Sequence, residues 1–101
     1  MFLVITTVQL KPGALDDGLA LLQQTTPDLV ADQPDWIGAE FTTDREGNTM
    51  TVIARWARPE SYRTYAASDR FQRAMTDFAV YFEGPPQVRL VERLFQMGHV
   101  M

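Results

Sequence analysis

Three aromatic residues with polar atoms, Trp56, Tyr62 and Tyr65, lie within one short stretch of the sequence, "WARPESYRTY". Trp56 ends an apolar, β-branched run, and the two tyrosines are three positions apart in the segment that follows. An indole N–H and a phenol hydroxyl can donate hydrogen bonds to a ligand, and each needs a partner when it is buried. The stretch therefore indicates either a ligand cavity or a filled aromatic core.

Most other side chains used in catalysis are missing. The sequence contains no cysteine, which excludes disulfides, zinc thiolates and thiol chemistry, and its only histidine is His99 near the end. A single histidine forms neither a metal site nor a catalytic triad by itself, so no metal site is predicted. The serines, Ser61 and Ser68, lie at expected helix starts, and no glycine-rich phosphate loop is present.

Two acidic residues, Glu40 and Glu92, fall inside predicted strands rather than in loops or at helix starts. The alternation of side chains along a strand places Glu40 and Arg55 on the face that points away from the predicted helices. We interpret them as an ion pair across the sheet or between subunits, because a buried charge needs a partner. A catalytic carboxylate is the less favoured interpretation.

Composition limits the class of protein. A chain of 101 residues that is 46% hydrophobic is typical of one globular domain, here residues 1–101. The net charge of −4 argues against nucleic acid as a partner, because phosphates require a basic surface. No apolar run approaches the roughly 20 residues of a membrane span, and "MFLVITTVQL" lacks the features of a signal peptide. We therefore expect a cytoplasmic protein with no membrane partner.

The pattern of apolar residues predicts an α+β domain. Strands are predicted at 2–10, 36–43, 49–57 and 87–97, and helices begin at Ala14, at Pro59 and at Ser68 or Asp69. We expect a kink or break at Pro27 and a hairpin loop at 44–48. The order is the ferredoxin-like βαββαβ arrangement, a four-stranded antiparallel sheet with its helices on one face.

The first strand predicts a second subunit because both of its faces are largely apolar. Phe2, Val4, Thr6 and Val8 point to one side, and Leu3, Ile5, Thr7 and Gln9 point to the other. The helices can cover only one face, and a bare apolar face of several hundred Å² is uncommon in a monomer. We therefore expect a homodimer in which the two sheets face each other.

The same alternation turns Trp56 toward the helices, because Trp56 has the parity of Val52 and Ala54. Tyr62 and Tyr65 share one helix face with Ala66, and that face should turn toward the sheet. We predict a cavity between helices and sheet that is lined by Thr6, Val52, Trp56, Tyr62, Tyr65, Met75 and Phe78. The alternative is that these side chains pack tightly as a core.

Three motifs carry a family resemblance: "LKPG" after the first strand, "RPESYRTYAASDRF" after Trp56, and "GPP" before the last strand. With the element order they resemble the antibiotic biosynthesis monooxygenase (ABM) domain of the dimeric α+β barrel superfamily, over residues 2–97. The resemblance implies a dimer in which two sheets stack into a barrel. It also implies that each subunit holds a pocket between its own helices and sheet.

The sequence looks most similar to the quinone-forming monooxygenases of aromatic polyketide pathways, which use no metal or flavin. This resemblance implies catalytic roles for Trp56 and Tyr62 and no cofactor. The substrate would then contact the other predicted lining residues, Thr6, Val52, Tyr65, Met75 and Phe78. Val52 stands where that branch has an asparagine, and Arg73 is the nearest match to an arginine of its later helix. Where the haem-degrading branch has asparagine, tryptophan and histidine, this chain has Thr6, Tyr65 and Met75, so haem ligation is not expected.

The function implied by the resemblance is a cofactor-independent monooxygenase acting on a small electron-rich aromatic compound, such as a phenol, an anthrone or a hydroquinone. Such a substrate would supply the electrons that reduce oxygen. The alternative is an ABM-like protein that binds or isomerises a small hydrophobic metabolite without using oxygen. A third hypothesis is a dimeric scaffold whose aromatic core is filled.

Overall fold

The computed structural model describes residues 1–98, and His99 lies outside the described residues. The elements are β1 (Phe2–Gln9), α1 (Leu15–Val30), β2 (Trp36–Asp44), β3 (Thr49–Trp56), α2 (Pro59–Ala66), α3 (Asp69–Phe78), a 3₁₀ turn (Ala79–Tyr81) and β4 (Gln87–Glu92). The strands form one sheet in the order β2-β3-β1-β4, and each neighbouring pair is antiparallel. This topology confirms the predicted ferredoxin-like βαββαβ fold.

The two central strands provide the floor on which the helices pack. In the β1–β3 register, Val4 lies opposite Ala54 and Thr6 lies opposite Val52. Val4, Val8 and Met50 are buried, and Trp56 at the end of β3 is only 1% exposed. These burials confirm the predicted parity, in which the side chains of Val4, Val8 and Trp56 face the helices.

The buried apolar side chains form two clusters rather than one continuous core. Val8, Leu10 and Met50 make up the first cluster. Leu29, Ala74 and Phe78 make up the second, between α1 and α3. Half-buried Leu22 and Phe82 touch both clusters. This division leaves the helix-facing side of the sheet incompletely filled.

The predicted break in α1 at Pro27 is wrong, because the helix is continuous from Leu15 to Val30. A proline inside a helix leaves the carbonyl four residues earlier without its backbone donor. Here Pro27 and the residue that carries this carbonyl, Gln23, are both exposed. Water can therefore bond the free carbonyl, and the helix tolerates the proline on its outer side.

The last strand ends at Glu92, five residues earlier than the predicted end at 97. Phe2, the first residue of β1, pairs with Glu92, and the Arg93 N–H donates to the Met1 carbonyl at 3.1 Å. Leu94, Phe95 and Met97 follow with exposed fractions of 89%, 75% and 82%.

Local sequence explains how α2 and α3 begin. Pro59 opens α2, where its fixed φ suits the first helical turn. The Ser68 hydroxyl accepts a hydrogen bond from the Phe71 N–H at 3.2 Å and so caps α3, as the sequence predicts. α3 ends at Phe78, where the chain tightens into the 3₁₀ turn.

The face of the sheet opposite the helices carries half-buried apolar side chains, including Leu3, Ile5 and Ile53. On this face the Arg55 guanidinium donates to the Glu40 carboxylate. The pair joins β2 to β3 within one chain, which confirms its interpretation as an ion pair across the sheet.

Candidate active site

A cavity of about 410 Å³ lies between the helix-facing side of the sheet and the three helices. Its volume falls within the range of small-molecule pockets in proteins. All seven residues singled out in the sequence line it: Thr6 and Val52 from the sheet, Trp56 at its edge, Tyr62 and Tyr65 from α2, and Met75 and Phe78 from α3. These side chains therefore do not pack into a closed aromatic core.

Trp56 and the two tyrosines form one aromatic cluster in the cavity wall. The Tyr62 ring meets Trp56 edge to face, with ring centroids 5.8 Å apart and planes at 69°. The Tyr65 ring is tilted by 42° against Trp56 at a centroid distance of 5.1 Å. Both arrangements are favourable for aromatic pairs. Because Pro59 starts α2 immediately after β3, the two phenols reach the tryptophan that ends that strand.

The polar atoms of this cluster have no protein partner among residues 1–98. The side-chain hydrogen bonds of that part of the chain involve neither Trp56 Nε1 nor the hydroxyls of Tyr62 and Tyr65, yet no buried side-chain nitrogen or oxygen within it is left unsatisfied. Each of the three atoms therefore keeps some exposed surface, while the Trp56 side chain as a whole is only 1% exposed. They are free to donate hydrogen bonds to a ligand or to water in the cavity.

Both phenols are protonated near neutral pH, and burial raises their pKa values further. Burial raises the pKa of Tyr62 above its ordinary value, and burial together with the neighbouring Tyr62 raises the pKa of Tyr65 to about 12. Near neutral pH both hydroxyls are therefore hydrogen-bond donors and not bases. The cavity wall offers donors to an acceptor atom of the ligand.

The rest of the cavity lining contains no charged side chain within residues 1–98. It includes further aromatic and apolar residues together with two polar ones, Thr26 and Gln72. Arg73, the expected match to a helix arginine, is exposed and is not part of the lining, because its neighbours Ala74 and Met75 take the inner positions of α3. The cavity therefore suits an uncharged ligand.

Sequence reasoning missed further aromatic lining residues, among them Trp36, Phe71 and Phe82. Trp36 begins β2 and lies opposite Trp56, but only because the register shifts between Trp36 and Gly38. Strict alternation along β2 would instead have turned Ile37 inward, whose side chain is exposed in the structure, so strand parity gave no signal for Trp36. Phe71 stands in the first turn of α3, and its ring centroid lies 4.9 Å from that of Tyr65. Helix spacing from Met75 was the available signal for Phe71.

A carboxylate outside the cavity, that of Asp35, contacts the beginning of α2. Asp35 Oδ2 accepts hydrogen bonds from Arg58 Nε at 2.9 Å and from the Ser61 hydroxyl, and Arg58 Nη2 lies 2.8 Å from the same oxygen. These contacts lower the pKa of Asp35, mainly through the hydrogen bond from Ser61. No local pattern indicated this cluster, because Asp35 precedes Ser61 by 26 residues.

Residues 1–98 contain no group of three or more histidine, cysteine, aspartate or glutamate side chains that could hold a metal ion. Within the same range, no helix has both the length and the apolar character needed to cross a membrane.

A model of the antibiotic biosynthesis monooxygenase family matches residues 1–77. The chain belongs to this family. The match runs from β1 to the last residue but one of α3, and so includes six of the seven predicted lining residues, all except Phe78. Comparison of this ABM domain with curated proteins gives no significant match.

Solved structures share the ABM fold at low sequence identity. A monooxygenase from the gene ActVA-Orf6 of Streptomyces coelicolor, in complex with nanaomycin D, has a TM-score of 0.86 and 16% identity, covering 98% of this chain and 92% of that chain. A mutant of SnoaB, a cofactor-independent oxygenase from Streptomyces nogalater, has a TM-score of 0.80 and 14% identity, with 97% of each chain covered. Rv0793 from Mycobacterium tuberculosis has a TM-score of 0.77 and 13% identity, covering 96% of this chain and 98% of that chain. These similarities concern the fold.

Proposed function

We propose that this ABM domain is a cofactor-independent monooxygenase that acts on a small electron-rich aromatic compound such as a phenol, an anthrone or a hydroquinone. The observation that carries the proposal is the cavity of about 410 Å³ in which Trp56, Tyr62 and Tyr65 present donors without protein partners. Two proteins of the same fold support it: one is described as a cofactor-independent oxygenase, and one was solved with nanaomycin D.

In the proposed reaction the substrate supplies all the electrons. An anthrone loses a proton from its ring CH₂ group, and the resulting carbanion transfers electrons to O₂ to form a carbon-bound peroxide. Loss of water from this peroxide cleaves the O–O bond and leaves a carbonyl. The four-electron oxidation of CH₂ to C=O thus balances the reduction of O₂, with one oxygen atom in the product and the other in water.

The residues act by binding and by electrostatic stabilisation. The Trp56 N–H and the Tyr62 hydroxyl donate to the substrate oxygen on which negative charge develops when the proton leaves, which makes the C–H group more acidic. Thr6, Val52, Tyr65, Met75 and Phe78 contact the ring system and limit the access of bulk water. Because the lining of residues 1–98 offers no carboxylate or imidazole, a single water molecule beside the ring CH₂ group accepts the proton.

Oxygen consumption with anthrone tests the proposal. We expect uptake above the uncatalysed rate, one anthraquinone formed per O₂, and one ¹⁸O atom in the product when ¹⁸O₂ is supplied. Trp56→Phe should lower the rate roughly tenfold, because it removes one donor to the developing charge. Tyr81→Phe is the control, since Tyr81 lies outside the cavity lining. Uptake at the uncatalysed rate for anthrones, phenols and hydroquinones alike would overturn the proposal.

The absence of a charged side chain from the lining of residues 1–98 favours the binding form of the alternative function, in which the cavity holds a small hydrophobic metabolite and neither uses oxygen nor isomerises it. General acid–base catalysis needs a group whose pKa lies near the working pH, and the two phenols do not meet this condition. Under this alternative, anthraquinone or anthrone binds and quenches tryptophan fluorescence, while oxygen uptake stays at the uncatalysed rate.

We also propose that the domain works as a homodimer with the sheets facing each other. Half-buried Leu3, Ile5 and Ile53 on the outer face of the sheet support this assembly, because a second sheet would remove them from water. The exposed Leu94, Phe95 and Met97 lie beyond the edge strand and would find apolar contacts in the same assembly. Cytoplasmic location stays a prediction.

A further inference from the structure

We propose that Asp35 is a positioning residue of the site: it fixes the start of α2 so that Tyr62 and Tyr65 meet Trp56. The effect on turnover rests on the proposed monooxygenase function, whereas the effect on the aromatic cluster does not. Asp35 lies outside the cavity lining and touches neither phenol, so it acts through the helix.

Asp35 makes several contacts at the junction between β3 and α2. The Asp35 carboxylate accepts from Arg58 and Ser61, and its backbone carbonyl accepts from the Ala57 N–H at 2.8 Å. Residues on both sides of the helix start are thereby tied to the chain that leads into β2. The Asp35 side chain is 23% exposed, so solvent screens these contacts only in part.

The helix α2 depends on this support for its stability. The helix has eight residues, none of them buried, and its N-cap residue Arg58 makes no capping hydrogen bond with its own side chain. A helix of this length is not stable by itself and depends on tertiary contacts. The carboxylate also places negative charge beside the helix N-terminus, which is favourable for the helix dipole.

The spacing of residues along α2 couples Ser61 to both phenols. Ser61 immediately precedes Tyr62 and lies four positions before Tyr65, so all three belong to little more than one helical turn. A shift or rotation at Ser61 therefore moves both phenols relative to Trp56, which is held in the sheet. A displacement of about 1 Å can reduce turnover by up to about a hundredfold.

The chain contains a matched control. Asp32 Oδ2 lies 3.1 Å from Arg70 Nη1, and this pair also joins two segments distant in sequence. Arg70 Nη2 donates to the Asp28 carbonyl at 2.7 Å, so the Asp32 pair ties the end of α1 to α3 and leaves the start of α2 untouched. Asp32→Asn thus removes a carboxylate–arginine contact without removing the support of α2.

The experiment compares Asp35→Asn, Asp32→Asn and the wild-type chain by near-ultraviolet circular dichroism, by anthraquinone titration and by anthrone turnover. For Asp35→Asn we expect unchanged far-ultraviolet dichroism and a weaker near-ultraviolet signal from the tryptophan–tyrosine cluster. Anthraquinone should bind several-fold more weakly, and kcat should fall by roughly tenfold or more. Asp35→Glu should recover part of each loss, and Asp32→Asn should match the wild type.

The proposed function and the positioning role of Asp35 can fail separately, and the measurements distinguish the two cases. A wild-type chain that consumes no oxygen would contradict the proposed function, while the dichroism of Asp35→Asn would still decide the role of Asp35. A wild-type near-ultraviolet spectrum in Asp35→Asn, or the same losses in Asp32→Asn, would overturn the positioning role. If Asp35→Asn does not fold, Ser61→Ala removes one contact alone and should shift the same signals in the same direction. No shift in Ser61→Ala would then overturn the role.

Discussion

The rings of Trp56 and Tyr65 lie with their centroids 5.1 Å apart, and the Tyr65 ring lies 4.9 Å from that of Phe71. Three successive elements, β3, α2 and α3, are thereby joined through a row of aromatic contacts along one wall of the cavity. Each element begins or ends close to its ring, because Trp56 ends β3 and Phe71 stands in the first turn of α3. Substitutions in this row that keep the ring and remove only its polar atom should therefore affect ligand affinity more than the free energy of unfolding.

Tyr62→Phe and Tyr65→Phe keep the rings and remove hydroxyls that have no protein partner among residues 1–98. We expect the free energy of unfolding to change by less than about 0.5 kcal/mol. Anthraquinone affinity should fall by about 1 kcal/mol for each hydrogen bond lost. Guanidinium unfolding and fluorescence titration measure the two quantities, with Tyr81→Phe as control. Large losses of stability with unchanged affinity would show that the hydroxyls serve the fold.

The raised pKa of Tyr65 predicts a loss of stability in strong alkali. An unfolded tyrosine ionises near pH 10, whereas Tyr65 in the folded chain ionises near pH 12. The folded state therefore binds more protons than the unfolded state in this interval, and stability present below pH 10 or so falls as the pH rises toward 12. Absorbance at 295 nm follows the ionisation, and Tyr65→Phe should remove the last step. An unchanged titration in that variant would contradict the assignment.

The lowered pKa of Asp35 predicts the opposite behaviour in acid. Its stabilising contribution is present above the ordinary aspartate pKa of about 3.9 and is lost as the pH falls through the lower pKa of the folded state. The groups that face this carboxylate are Arg58 and Ser61, with Glu60 acting on Arg58. Unfolding measured from pH 6 to pH 2 should depend less on pH in Asp35→Asn than in the wild type. Equal pH dependence in the two chains would refute this.

Assembly can be tested on the outer face of the sheet. Ile53→Glu should give particles of 11.5 kDa by light scattering, whereas the wild-type chain at micromolar concentration should give twice that mass. Charge on this face would have to be desolvated between two sheets, which is costly. Val80→Glu changes an apolar residue that is 59% exposed and lies off the sheet, and it should leave the dimer intact. A monomeric wild-type chain would contradict the assembly.

Haem should not bind tightly in the cavity. Met75 lines the cavity at the position where the haem-degrading branch has its histidine, and a thioether is a weaker ligand for haem iron than imidazole. Titration with haem, followed at the Soret band, should show only weak binding. His99→Ala serves as control, because it removes the only imidazole of the chain. Tight stoichiometric binding that survives this substitution would overturn the prediction.

The parts of the fold that follow local rules were accessible from the sequence. Strand parity is enough to turn Trp56 inward, and the three-residue spacing of Tyr62 and Tyr65 is enough to put both on one helix face. The misplaced end of β4 has a non-local cause, because the last residue of the strand, Glu92, pairs with Phe2, the first residue of β1. The contact of Asp35 with Ser61 was equally inaccessible, since it exists only after β2 and β3 have paired.

Met75 lines the cavity together with Trp56 and two phenols, and these are the side chains that oxidants attack most readily. In the proposed reaction a peroxide forms within reach of all of them. A peroxide that escapes its normal breakdown converts the Met75 thioether to a sulfoxide, which is polar and larger. This side reaction then limits the number of turnovers that one molecule completes before the lining of its own cavity is oxidised.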